Sequence, residues 1–199
     1  EDGYNWKNHV KDLKRIIDAF SNNKKVSLAG SSWGSILALL YTYYYPEDIK
    51  GLILSGTVNW VGEGVPEKDY QSRSYQFIDI SSEKRQLAEN RIIYPEGNYL
   101  KPDNVPIYKE YEIFWGGPNL QTKESLATAP VFDSLKKIQV PVLIFNGDRE
   151  PCTTETDRGK KYVKLLPNAE LYTIWGACHD PWFANPKEFF EKSREFLSK

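Results

Sequence analysis

Lys25-Val26-Ser27-Leu28-Ala29-Gly30-Ser31-Ser32-Trp33-Gly34-Ser35-Ile36-Leu37-Ala38-Leu39-Leu40-Tyr41 reads as a strand, a tight turn and a helix. Its centre, Gly30-Ser31-Ser32-Trp33-Gly34, is Gly-x-Ser-x-Gly, which nominates Ser32 as a nucleophile. The turn must be sharp enough to lift the serine hydroxyl clear of the sheet. A side chain two residues either side of the serine is expected to collide with neighbouring backbone, so glycine is expected at both places. The following helix aims free N–H groups back at the serine, where negative charge develops during acyl transfer.

The same rhythm extends outward. Residues 5–20 read as an amphipathic helix, with Val10, Leu13, Ile16, Ile17 and Phe20 on one face. Strand 25–29 and helix 33–45 follow, the latter stopped at Pro46. Lys50-Gly51-Leu52-Ile53-Leu54-Ser55 is a second strand. Helix and strand alternating over short connections signal an α/β fold with a mostly parallel sheet flanked by helices. Residues 60–130 break the rhythm. They are polar, rich in Tyr, Pro and Gly, with a candidate helix over 82–92, and read as a cap inserted into the core. The core is therefore assigned to 1–59 and 131–199. Val140 to Phe145 is a continuous apolar strand, suited to burial on both faces. A helix over 155–165, a strand over 169–175 and a closing helix over 186–198 complete the chain. Phe189, Phe190, Phe196 and Leu197 form the apolar stripe of that last helix.

Composition narrows the function classes. The 199 residues carry 26 basic and 27 acidic side chains, for a net charge of −1. That balance gives no support for nucleic acid or an anionic membrane as partner. No apolar run approaches a membrane span, and with only two cysteines cytoplasm is the default location. Two cysteines, Cys152 and Cys178, do not make a disulfide scaffold. No metal-ligand spacing or phosphate-binding glycine loop is present, and no cofactor is implied.

A nucleophilic serine needs a base, and the base needs an orienting carboxylate. Of the two histidines, His9 lies on the first helix and reads as a surface residue. His179 follows the last strand in Gly176-Ala177-Cys178-His179-Asp180, at the end of a parallel strand where sites form. The loop Asn146-Gly147-Asp148-Arg149-Glu150-Pro151 offers two acids, Asp148 and Glu150. The end of strand 50–55 offers none.

These motifs resemble the C-terminal part of an α/β-hydrolase, and within that superfamily the proline iminopeptidase (prolyl aminopeptidase) branch. That branch's elbow commonly reads Gly-Gly-Ser-Trp-Gly-Ser, and here it reads Gly30-Ser31-Ser32-Trp33-Gly34-Ser35. The order of serine, acid and histidine is that of the α/β-hydrolase triad. The branch's acid stands three residues after a strand-end glycine, which is Glu150 here, where members mostly carry Asp. Its Gly-x-x-His motif matches Gly176 to His179. The resemblance thus implies Ser32, Glu150 and His179 as triad, with Glu150 favoured over Asp148 and the other acid a solvated or loop-capping carboxylate. It implies the amide of Trp33 as one oxyanion donor. The expected substrate is a small peptide with an N-terminal proline or similar residue. Its ammonium would meet cap carboxylates drawn from Glu63, Glu67, Asp69, Glu110 and Glu112.

Two other functions stay open. One is an esterase or thioesterase, with Tyr108, Tyr111, Phe114 and Trp115 lining an acyl pocket. The other is a non-catalytic binding module that keeps the fold. An aspartate-nucleophile hydrolase is disfavoured by Ser32.

The resemblance also implies what precedes the elbow. A hydrolase of this kind sets its nucleophile after the fifth of about eight strands, so the N-terminal strands and the loop giving a second oxyanion N–H are expected elsewhere. The chain is expected to be a fragment whose open edge at strand 25–29 pairs with a companion chain or a second copy. Loss of one oxyanion donor costs on the order of 10²–10³ in rate, so the chain alone is expected to be weak or inactive. If the triad holds, Cys152 and Cys178 adjoin, and free thiols in proximity are favoured over a bridge.

Overall fold

The computed structural model describes residues 4–57, 122, 125–130, 132–148, 153–177 and 180–199; for 153–157 it describes the backbone alone. Four strands form one sheet in the order β1 (Val26–Ser31), β2 (Ile49–Ser55), β3 (Val142–Gly147) and β4 (Ala169–Ile174), every neighbouring pair parallel. The register sets Ser31 opposite Ser55, Ser55 opposite Phe145, and Gly147 opposite Ile174. All four carboxyl ends therefore meet at one edge of the sheet. The expected α/β architecture is what the described residues form.

The inner strands are buried on both faces, as their apolar runs require. Leu52 and Leu54 of β2, with Val142 and Ile144 of β3, face a large core shared with α1 (Trp6–Phe20), α2 (Trp33–Tyr44) and α3 (Thr153–Leu165). Ile53, Leu143 and Phe145 face the opposite side, where Phe196 of α5 (Pro186–Leu197) packs with Ile174 and Ala177. A short helix α4 (Pro181–Ala184) precedes α5 and has no counterpart in the sequence reading. Leu126, from the far end of the segment read as a cap, sits 4% exposed in the larger core. Of 60–130, residues 60–121, including 82–92, together with 123 and 124, lie outside the described residues.

Helix α1 starts where Asn5 takes an extended backbone and its side chain accepts the Asn8 N–H at 3.0 Å. It ends at Ser21, and Asn22 and Asn23 then turn the chain with φ of 50° and 60°, a region that asparagine tolerates better than most residues. Its buried face is narrower than expected. Trp6, Val10 and Ile17 are buried, whereas Ile16 and Phe20 are 56% and 80% exposed. The helix packs on α2 along a strip, and 3.6-residue periodicity carries Ile16 and Phe20 to its margin. In α5, likewise, Phe196 is buried but Phe190 and Leu197 are exposed. Strand β3 begins two residues later than the apolar run suggested. Pro141 has no N–H to give a ladder, so it contributes only its carbonyl, which accepts from Leu52 at 2.9 Å.

A polar cluster ties α1 to α2 and the turn beyond it. The buried Tyr41 hydroxyl donates to Asp48 at 2.5 Å, and Lys14 bridges Asp48 at 3.1 Å and also pairs with Asp18. Burial, then the Asp48 carboxylate, pushes the Tyr41 hydroxyl far above its ordinary range. Burial pushes the Asp48 carboxyl up, but the bonds from Tyr41 and Lys14 outweigh it and hold Asp48 below its ordinary value.

Candidate active site

Strand β1 ends at Ser31, α2 begins at Trp33, and Ser32 alone makes the turn. Its backbone stands at φ 52°, ψ −120°. Among the described residues three non-glycines have positive φ, and the other two are Asn22 and Asn23. Ser32 also lies outside the left-handed helical basin, where ψ is near +50°. Such a conformation costs on the order of 1–3 kcal/mol and persists only where its surroundings over-determine it. Named bonds supply that constraint. The Ser32 N–H donates to the Ser55 carbonyl of β2 at 3.0 Å, and the Ser32 carbonyl accepts from the Ser35 N–H at 3.0 Å. The buried Ser35 hydroxyl stands 2.9 Å from both the Gly30 and Ser55 carbonyls. The Ser32 side chain does not cap the helix it precedes, unlike an ordinary N-cap serine.

The two elbow glycines are not equivalent. A Cβ on Gly30 would stand 2.3 Å from the Gly34 carbonyl oxygen and 2.9 Å from the Ser35 nitrogen, so Gly30 admits no side chain. At Gly34 a Cβ meets nothing within 4 Å among the described residues. The expected backbone collision is therefore found at Gly30 and is absent at Gly34. The turn folds the helix start over the strand end, and only the strand-side glycine lies beneath it.

Trp33 opens α2, with its side chain half-buried against the larger core. Its amide belongs to the first turn of the helix, where N–H groups lack intrahelical partners. His9 departs from the expectation of a surface residue. It is half-buried, its ring lies edge-to-face on Trp33 with centroids 5.8 Å apart, and its Nε2 is 3.2 Å from the Thr122 hydroxyl. The signal was legible in the spacing. His9 is three residues after Trp6 and one before Val10, at the border of the buried stripe of α1.

Across the same edge, Asp148 follows β3 and its Oδ1 accepts the Gly176 N–H at 2.5 Å, joining the chain just after β3 to the chain just after β4. Gly176 holds φ 77° in that turn. Glu150, His179, Cys152 and Cys178 lie outside the described residues, as do the cap carboxylates and aromatics named above. The structure thus brings Ser32, Trp33 and Asp148 to one edge of the sheet. Among the described residues no group of three or more His, Cys, Asp or Glu is arranged to hold a metal ion. No helix among them is long and apolar enough to cross a membrane.

A parallel sheet carrying a strained serine between a strand and a buried helix defines an α/β-hydrolase fold. A solved structure of a probable hydrolytic enzyme from Pseudomonas aeruginosa PAO1 matches with a TM-score of 0.72, covering 99% of this chain and 70% of that one at 20% identity. The family model described as serine aminopeptidase, S33, matches residues 3–185, and the chain belongs to that α/β-hydrolase family, in its proline iminopeptidase branch. The proline iminopeptidase of Lactobacillus acidophilus is 31% identical over 175 residues, covering 75% of this chain and 58% of the relative. That of Lactobacillus helveticus is 30% identical over 224 aligned residues, covering 98% of this chain and 73% of the relative. The chain thus spans between about three-fifths and three-quarters of the length of these relatives.

Proposed function

We propose that this hydrolase is a serine enzyme that releases an N-terminal proline or similar residue from small peptides through an acyl-enzyme. The observation that carries the reading is the backbone of Ser32. Strain at a serine between a strand and a helix has no evident part in folding, whereas it presents a hydroxyl for attack. In the proposed cycle Ser32 Oγ attacks the scissile carbonyl while His179 takes its proton. Glu150 holds His179 in the productive tautomer, and the Trp33 amide donates to the developing oxyanion. His179 then passes the proton to the leaving amine, and water repeats the sequence on the ester to free the acid. The bond from Gly176 to Asp148 supports assigning Asp148 to loop anchoring and Glu150 to the triad. The similarity to proline iminopeptidases supports the aminopeptidase specificity. As part of the same proposal, the edge of β1 that no described strand pairs with is covered in the working enzyme by a companion chain or a second copy.

The test is labelling with a fluorophosphonate probe of the enzyme with its β1 edge covered, read by intact mass, beside Ser32→Ala. Stoichiometric labelling lost in the variant is expected. Turnover of a proline amide is expected to fall by at least on the order of 10⁴ in Ser32→Ala. Turnover of a short acyl ester in preference to the proline amide would move the assignment to an esterase. Equal labelling of both proteins would overturn Ser32 as nucleophile.

A further inference from the structure

We propose that His9 is a positioning residue for the nucleophile elbow, clamped from behind by Thr122. The inference rests on the serine-hydrolase reading and adds a residue that the triad does not include.

Thr122, Ser125 and Thr128 are fastened to the first two turns of α1 by side-chain bonds. The Trp6 N–H donates to the Ser125 hydroxyl at 3.0 Å, and that hydroxyl donates to the Thr122 carbonyl at 2.6 Å. The Trp6 indole N–H donates to the Thr128 hydroxyl at 3.1 Å. The Thr122 side chain, 7% exposed, meets His9 Nε2 at 3.2 Å. Out of this lattice one ring projects to the elbow, the His9 imidazole against the Trp33 indole.

Trp33 is the residue whose amide follows the strained serine. Rotation of the Ser32–Trp33 peptide unit would swing that N–H away from a developing oxyanion, and the indole is the handle that resists it. On its core side the indole packs against buried side chains, and His9 contacts it from α1. An edge-to-face contact restricts a ring in a way that a shapeless apolar neighbour does not. A side chain acting in this manner changes how well the transition state is held, with little effect on ground-state binding. It also makes the hold on Trp33 depend on Thr122, since the imidazole keeps its tilt through that bond.

The experiment uses the full chain and four variants: His9→Ala, Thr122→Val, the two combined, and Thr122→Ser. The fluorophosphonate acylation rate is separated into a maximal rate and a half-saturating concentration, with Tm measured in parallel. His9→Ala and Thr122→Val are each expected to lower the maximal rate about tenfold with the half-saturating concentration within about twofold. The double variant is expected to be no slower than His9→Ala, because the two side chains act as one device. Thr122→Ser, which keeps the hydroxyl, is expected to restore the rate. With 5-fluorotryptophan incorporated, the Trp33 resonance, assigned through Trp33→Phe, is expected to shift in His9→Ala and in Thr122→Val. Failure of the wild-type protein to label with the β1 edge covered as proposed above overturns the serine-hydrolase reading, and this proposal with it, before any variant is compared. With labelling in place, unchanged maximal rates, additive losses, or losses that follow Tm alone overturn the role of His9 while leaving Ser32 untouched.

Discussion

The inner and outer strands of this sheet are built differently. In β2 only Lys50 is exposed, and in β3 every residue is buried, whereas β1 and β4 are covered along part of their length only. Ser27 and Ala29 of β1 are exposed. The nucleophile candidate stands at the end of the thinly covered strand. Bulk packing therefore holds the sheet together in the middle, while the strained turn at its margin is held by a handful of bonds to β2. Packing is concentrated on the inner strands, and the nucleophile candidate stands on an outer one.

Substitutions test that division most sharply in the centre. Ile144→Ala in β3 is expected to lose about 3–4 kcal/mol, because a fully buried side chain leaves a cavity, whereas Leu28→Ala in β1 is expected to lose about 1–2 kcal/mol. Urea unfolding of both variants measures the contrast, and equal losses would erase it. Gly30→Ala comes next, at about 2–3 kcal/mol, since its Cβ would press on the Gly34 carbonyl. The same change at Gly34 is expected to cost well under half as much, which the same unfolding curves decide. Ser35→Ala removes the hydroxyl that stands on the Gly30 and Ser55 carbonyls and is expected to cost about 1 kcal/mol. Its larger effect is expected in probe labelling of Ser32, slowed severalfold, because the elbow loses a brace.

The smallest effect lies away from the sheet, in the cluster of Tyr41, Asp48 and Lys14. The Asp48 carboxyl is held below its ordinary value of 3.8 in the folded chain. A depressed acid contributes stability that is fully present above its unfolded pKa and is lost as pH falls through the folded one. The Tm advantage of the wild type over Asp48→Asn is therefore expected to persist at pH 6 and to shrink steadily below about pH 4. An advantage that held constant down to pH 3 would place the stabilisation elsewhere.

Much of this was legible in the residues. The strand, elbow and helix around Ser32 followed from glycine placement and apolar runs, and the parallel sheet followed from alternation of helix and strand. What escaped were features set by neighbours distant in sequence. Ile16 and Phe20 have the right period for a buried face, but nothing local says how wide a strip α2 covers. Gly34 satisfies the motif as fully as Gly30, and only the path of the turn shows which one lies under backbone. His9 looked like a helix-surface residue because Thr122, its partner, is 113 positions away. The acid and base could be nominated only from order and from resemblance, and they lie outside the described residues.

The pairing of β2 with β3 joins residues about 90 positions apart, Leu52 with Val142 and Ser55 with Phe145. Closing so long a loop is the dominant entropic barrier to assembling the sheet's centre, yet its cost grows only as the logarithm of the length. Doubling the intervening chain would add about 0.6 kcal/mol. The central seam of the sheet is therefore insensitive to how much sequence is spliced across it. Evolution can rewrite, lengthen or shorten what lies between β2 and β3 at little thermodynamic expense. The same seam joins the strand partners most distant in sequence among the described strands, so it is expected to set the pace of folding.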